Sequence, residues 1–166
     1  LAARHYYGRG LLTHLGFRQA TKSKAIGVFL PKPEIKEIAL IWVEHNKNPE
    51  CASPGHSLIT CYFDDACSDD CYNLPDERVL DIARSYLEKL FPELSGQCDF
   101  ARISRWPLAI PYPEPGVYRE IHKLKQQLAP SDRIQHAADY FTCTGQNSAI
   151  HYGKRAAANL IAHCRY

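Results

Sequence analysis

The chain has 166 residues, 45% hydrophobic and 23% charged, with a net charge of +2. That length suits one domain of ordinary size with its own core, and the balance excludes a disordered chain. Acids and bases are interleaved, which excludes the basic footprint of a nucleic-acid binder, and no apolar run approaches the roughly 20 residues that span a bilayer.

The longest apolar run, IALIWV at 38–43, is the length of a strand. With no transmembrane segment in view, the expected location is cytoplasmic. Leu1 is not an initiator, methionine is absent throughout, and LAARHYYGRG lacks the charged-then-apolar order of a signal peptide. These features point to a processed or partial chain.

In chain order, four short β-branched or aromatic runs read as strands: 11–17, 25–30, 38–43 and 57–63. Gly8-Arg9-Gly10 reads as a turn before the first of them, and the four as an antiparallel meander. The acidic stretch around Asp64, Asp65, Asp69 and Asp70 reads as a loop. An amphipathic helix follows at 76–91, its stripe formed by Val79, Ile82, Ala83, Tyr86, Leu87 and Leu90. Pro75 stands at its entry and Pro92 stops it.

Residues 98–106 read as a further strand, followed by an extended connector, PLAIPYPEPG, whose four prolines exclude helix. A second helix spans 117–128 with Val117, Ile121, Leu124 and Leu128 on one face. A short strand at 133–138 and a helix from Asn147 to about His163 complete the chain. That closing order of strand, helix, strand, helix suggests a unit that joins a parallel sheet.

Seven cysteines are an odd count, which argues against a complete disulfide framework. Cys51, Cys61, Cys67 and Cys71, with His45 and His56, form the only crowded group that suggests metal. Their spacing fits poorly: Cys51 and Cys61 are far apart and Cys61 falls mid-strand. The preferred reading is scattered thiols beside a solvated loop, with a local Cys67–Cys71 disulfide as a further option. His14 and His151 read as isolated histidines, and Arg105 as a salt-bridge partner rather than a substrate-carboxylate ligand.

The stretch 136–157, HAADYFTCTGQNSAIHYGKRAA, carries the strongest signal. Asp139 would follow the end of a strand, where open α/β sheets place ligand-binding groups. Asn147 is a good helix N-cap, and the helix it opens presents unpaired N–H groups that attract an anion or a carbonyl oxygen. Gly153 costs a helix about 1 kcal/mol relative to alanine, so close packing is expected there.

Ala137-Ala138-Asp139-Tyr140, the interval from Asp139 to Gly153, and Lys154-Arg155-Ala156-Ala157 together resemble the C-terminal flavin-binding motif of the FAD-dependent amine oxidase superfamily. That group includes amine oxidases, protoporphyrinogen oxidases and phytoene-desaturase-like enzymes. RWPLAIPYPEPG at 105–116 is similar to the family's R-W-x-x-A-x-P-x-x-x-x-G segment. LTHLGF, SPGHSLITCYF and LPDERVLDIARSYLEKLFPEL resemble its substrate-domain elements, so the likeness covers nearly the whole chain.

The resemblance implies an α+β fold: an antiparallel substrate-domain sheet with covering helices, ending in the last strand and helix of a Rossmann-like FAD-binding domain. Residues 1–104 would form the substrate-binding region and 105–166 the FAD-binding segment. It implies FAD as cofactor, with Asp139 at the ribityl–pyrophosphate part. Ala138 and Tyr140 flank that acid, and Ala138 replaces the usual glycine. Backbone N–H groups of Gln146, Asn147 and Ser148 would meet the pyrimidine edge, and Trp106 would lie along the ring. Gly145, Asn147 and Tyr152 depart from the residues the family often has.

The G-x-G-x-x-G turn that holds a dinucleotide pyrophosphate is absent. The N-terminal dinucleotide-binding half is therefore expected from elsewhere, in cis or in trans. The implied activity is oxidation of a C–N or C–C bond of a small-molecule substrate by hydride transfer to flavin, with a homodimer as a further possibility. Two alternatives stand beside it: a cofactor-free binding or scaffold protein derived from the substrate domain, and a Cys/His metal-binding domain.

Overall fold

A computed structural model describes residues 5–32, 36–142 and 144–163. Cys143 and Cys164 lie outside the described residues. The chain divides into two compact units: Arg9–Ala109, and the residues up to Gly8 together with those from Ile110 onward. The division falls inside two strands, β1 (His5–Phe17) and β5 (Cys98–Pro113). The boundary expected between 104 and 105 lies within β5.

The Arg9–Ala109 unit is built on a five-stranded sheet in the order β2-β3-β4-β1-β5, with β2 at Gly27–Phe29, β3 at Ile38–Val43 and β4 at Ser57–Phe63. β2, β3 and β4 form the expected antiparallel meander, but β1 pairs with β4 rather than β2. Gly16 lies against Phe100, and Gly10 against Trp106 and Ala109, so β5 runs antiparallel to β1.

Alternation assigns the two faces of this sheet. On one face Leu11, Leu15, Phe17, Ile59, Cys61 and Phe63 are buried, meeting Val79, Ala83 and Leu87 of α3 (Asp76–Leu90). Each such aliphatic side chain contributes about 1.5–3 kcal/mol by leaving water. β3 keeps Ile38, Ile41 and Val43 all on this face despite their odd spacing. A bulge does it: Ile38 pairs with Phe63 while Leu40 pairs with Tyr62, leaving one extra residue on β3.

Several expectations give way here. Gly8-Arg9-Gly10 is strand, not turn, because neighbouring side chains lie where its Cβ atoms would be. A Cβ on Gly8 would stand 2.7 Å from the Tyr112 ring, and one on Gly10 would stand 2.9 Å from Cβ of Ala109. The strand at 98–106 and its proline connector are one strand to Pro113. β5 is an edge strand, where missing N–H donors cost no ladder bond. The acidic stretch forms a helix, α2 (Asp65–Cys71), because the Asp64 carboxylate accepts from the Ala66 N–H as an N-cap. A four-residue helical turn, α1 (Glu44–Lys47), follows β3.

The second unit contains α4 (Val117–Gln127), a 3₁₀ turn at Asp139–Phe141, and α5 (Gln146–His163). Gly116 enters α4 at φ 92°, a left-handed conformation that glycine adopts without strain. Val117, Ile121, Phe141 and Tyr152 make its core. The strand expected at 133–138 is not formed; those residues are irregular. A strand persists by pairing its backbone groups with neighbours, and no described strand of this unit pairs with it. The parallel, Rossmann-like closing element is thus not seen among the described residues.

Candidate functional site

The predicted residues of 136–157 come together within the second unit. Ala138 is extended, with φ −157° and ψ 150°, and delivers the chain into the turn at Asp139. The Thr142 N–H donates to the Asp139 carbonyl at 3.3 Å, closing that turn. Asp139 and Tyr140 are half-buried, while Phe141 points into the core.

α5 begins one residue earlier than expected. The Ala149 N–H donates to the Gly145 carbonyl at 3.1 Å, so Gly145, not Asn147, is the N-cap. Gln146, Asn147 and Ser148 become the first turn, whose N–H groups have no carbonyl within the helix to meet. A hydroxyl pair, Thr142 Oγ1 and Ser148 Oγ at 3.0 Å, ties that first turn to the Asp139 turn. An acid and a donor-rich helix terminus therefore share one short stretch of backbone. That pairing suits a ligand carrying both hydroxyl donors and electron-rich oxygens.

Tyr152 has a structural role. It is 5% exposed, its ring stands edge-on to Phe141 at 5.1 Å, and its hydroxyl accepts from Lys125 Nζ at 2.8 Å. Lys125 Nζ also donates to the Phe141 carbonyl at 2.7 Å, so one ammonium joins α4, the turn and α5. Gly153 does not have the close packing expected of it, since a Cβ there would meet nothing within 4 Å.

Trp106 belongs to the Arg9–Ala109 unit, on the sheet face opposite α3. That face shows a pattern the sequence reading missed. Three of its glycines lie beneath rings from adjacent strands: Gly27 under Trp42, Gly16 under Phe100, and Gly10 beside Trp106. Between the last two, His14 Nδ1 lies 3.1 Å from Thr60 Oγ1 and Nε2 lies 3.1 Å from Ser104 Oγ. His14 and Thr60 are directly opposed in register, and Thr60 is in turn opposed to Trp42. A polar row thus crosses β4, β1 and β5, flanked by aromatic rings.

Burial lowers the His14 pKa, outweighing the pull of the Glu44 carboxylate, and Arg102 lowers it further. The imidazole is therefore neutral at pH 7: one ring nitrogen donates and the other accepts. The hydroxyl that receives the ring N–H keeps its own proton to give, and the one that donates to the ring keeps an accepting lone pair. The signal available in the sequence was alternation, which places Leu12, His14 and Gly16 on one face. The partners needed the register.

The remaining candidates resolve as structure. Arg105 donates to the carbonyls of Tyr72 at 2.8 Å and Leu74 at 2.9 Å and pairs with Asp76 at 2.6 Å, holding β5 to the start of α3. His45 Nδ1 accepts from the Leu58 N–H at 3.2 Å. His56 is exposed, Cys51 is exposed and Cys61 is buried mid-strand. No group of three His, Cys, Asp or Glu among the described residues is arranged to hold a metal ion. Only Cys67 and Cys71 of that set meet, with sulfurs 2.9 Å apart. No described helix is long and apolar enough to cross a membrane.

The model of the flavin-containing amine oxidoreductase family matches residues 3–161. The chain belongs to that family. Among solved structures, a protein assigned as a protoporphyrinogen oxidase from Exiguobacterium sp. 255-15 is similar, at 14% identity and TM-score 0.72. The match covers 98% of this chain and 36% of that one. Reduced UDP-galactopyranose mutase is similar over 97% of this chain and 34% of its own, at 12% identity and TM-score 0.63. At these identities the likeness is one of fold, and the chain spans about a third of the length of each. No curated protein matches.

Proposed function

We propose that this chain is the substrate-domain and C-terminal part of an FAD-dependent oxidoreductase of the amine oxidase superfamily, acting on a small-molecule substrate. The observation that carries the proposal is the join between the Asp139 turn and the first turn of α5, made by the Thr142–Ser148 hydroxyl pair, in a chain of this family. When bound, the flavin supplies a two-electron acceptor for oxidation of a C–N or C–C bond.

The residues present fit that cofactor. The half-buried Asp139 carboxylate would meet the ribityl–pyrophosphate part and could accept from hydroxyls there, with Ala138 and Tyr140 setting the turn that carries it. The N–H groups of Gln146, Asn147 and Ser148 would meet the electron-rich pyrimidine edge, and the positive end of α5 would favour negative charge there. The family resemblance would put Trp106 along the ring. Within the Arg9–Ala109 unit, the sheet face that carries Trp106 and the His14 row offers aromatic and polar groups to a substrate. A neutral imidazole bracketed by rings favours a flat, apolar substrate with one hydrogen-bonding group over a carboxylate.

The G-x-G-x-x-G half comes from another part of the protein or another chain. Ile134, Ile150 and Ile161, each more than half exposed, are the surface it covers, and 133–138 takes strand form against its sheet.

Asp139→Ala in the complete protein tests the assignment. The expected outcome is loss of bound flavin, read as absorbance per mole of protein, with the fold unchanged. Full flavin content in that variant removes Asp139 from the site. A complete wild-type protein that purifies without flavin, and takes up none when FAD is added, supports a cofactor-free binding protein instead.

A further inference from the structure

We propose that Cys67 and Cys71 are a disulfide-forming pair, with Cys67 the entry thiol for a low-molecular-weight disulfide and Cys71 the resolving thiol. Both stand on α2, one helical turn apart, with Sγ atoms 2.9 Å from each other, inside the contact distance of unbonded sulfurs. Among the described cysteines they are the only two that meet.

Their surroundings differ in a way that sets the order of events. Cys67 is half-buried and lines an open cavity of about 520 Å³ with Lys32, Lys36, Glu37, Asp64 and Asp70. Cys71 is 6% exposed and packed against Leu11, Phe63 and Val79. An incoming disulfide reaches Cys67 and not Cys71. Cys71 is the last residue of α2, so the bond strains the end of a seven-residue helix rather than the middle of a long one.

The chemistry balances in two exchanges. The Cys67 thiolate attacks one sulfur of RS–SR, forming Cys67–S–SR and releasing RS⁻, which takes up the thiol proton. The Cys71 thiolate then attacks Cys67 Sγ, forming Cys67–S–S–Cys71 and releasing the second RSH. The two cysteines are oxidised and one RS–SR is reduced to two RSH.

Burial raises the Cys67 pKa above its ordinary 9.0, with the hydrogen bond and charge of Cys71, then Glu37 and Asp70, adding to it. Asp64 lies on the same cavity, and Lys32 is held by Asp64 at 2.6 Å. From α3, Tyr86 faces this corner through its hydrogen bond to Glu37. The pair is therefore a slow, thiol-state site at neutral pH. Because exchange runs through the thiolate, its rate rises about tenfold per pH unit and keeps rising beyond pH 9.

The test uses the complete protein in a Cys51→Ala background, which removes the thiol that is exposed among the described cysteines. It is treated with oxidised glutathione and read by mass spectrometry of the peptide carrying positions 67 and 71. The expected product has lost two hydrogens and carries no glutathione. Cys71→Ala should halt at a glutathione adduct on Cys67, and Cys67→Ala should leave Cys71 unmodified. Urea midpoints measured alongside show that both variants are folded. A stable adduct on Cys67 in the Cys51→Ala protein, an adduct on Cys71 in folded Cys67→Ala, or a rate that levels off below pH 9 overturns the proposal.

Discussion

The Arg9–Ala109 unit and the unit containing α4 and α5 are held together by different means. The first has a continuous core in which Leu15, Ile38, Ile41, Val43, Ile59, Cys61 and Ala83 are fully buried, beneath a sheet whose pairings span distant parts of the chain. The second rests on a small cluster of Val117, Ile121, Phe141 and Tyr152 and on one lysine that donates to both Phe141 and Tyr152. Both units leave large apolar side chains exposed, Phe29 and Leu108 in the first and Ile134, Ile150 and Ile161 in the second, so the difference lies in the size of the core beneath.

Four substitutions break or sharpen this contrast. Leu15→Ala empties the centre of the sheet core and is expected to cost about 2–5 kcal/mol, seen as a lower urea midpoint with amide protection lost across β1, β3 and β4. Gly16→Ala puts a Cβ 2.1 Å from a Phe100 ring atom. Because that ring is 54% exposed it can swing aside, so the cost sits near the low end of overpacking, about 1 kcal/mol, with a shifted Phe100 resonance as the marker.

Tyr152→Phe removes only the hydroxyl that Lys125 meets, and about 1 kcal/mol should be lost, with faster hydrogen exchange confined to α4 and α5. Spread of that effect into the sheet would show the units to be one cooperative body.

His14→Gln is the smallest. The folded protein holds His14 neutral below its ordinary 6.5, so the unfolded chain takes up the proton first. His14 stability is therefore full above pH 6.5 and falls as pH drops through the lowered folded value. The wild-type advantage over His14→Gln should shrink between pH 7.5 and 5.5. A constant difference would show that the ring is not buried neutral.

The expected elements were legible wherever a short-range rule governed them. β3 and β4 lie at the residues where alternation and flanking loops put them, and α3 follows its 76–91 stripe to within one residue. Failures came where a neighbour decides. Gly8 and Gly10 look like a turn until Tyr112 and Trp106 are seen beside them, and Pro107 and Pro111 look like breakers until β5 is known to be an edge. The contact between the Asp139 turn and the first turn of α5 was within reach of the sequence because Asp139 and Ser148 are close along the chain. The His14 row was not, since its three residues come from three strands.

The sequence by itself determined the two long helices and the main strands, because each depends on local spacing of side chains, while its motifs carried the resemblance to the family. Only the tertiary structure decided that β1 inserts between β4 and β5, that His14 meets Thr60 and Ser104, and that Tyr152 is core. Those outcomes depend on which strand pairs with which and in what register, and register is set by burying one whole face at once, a property no short window of residues contains.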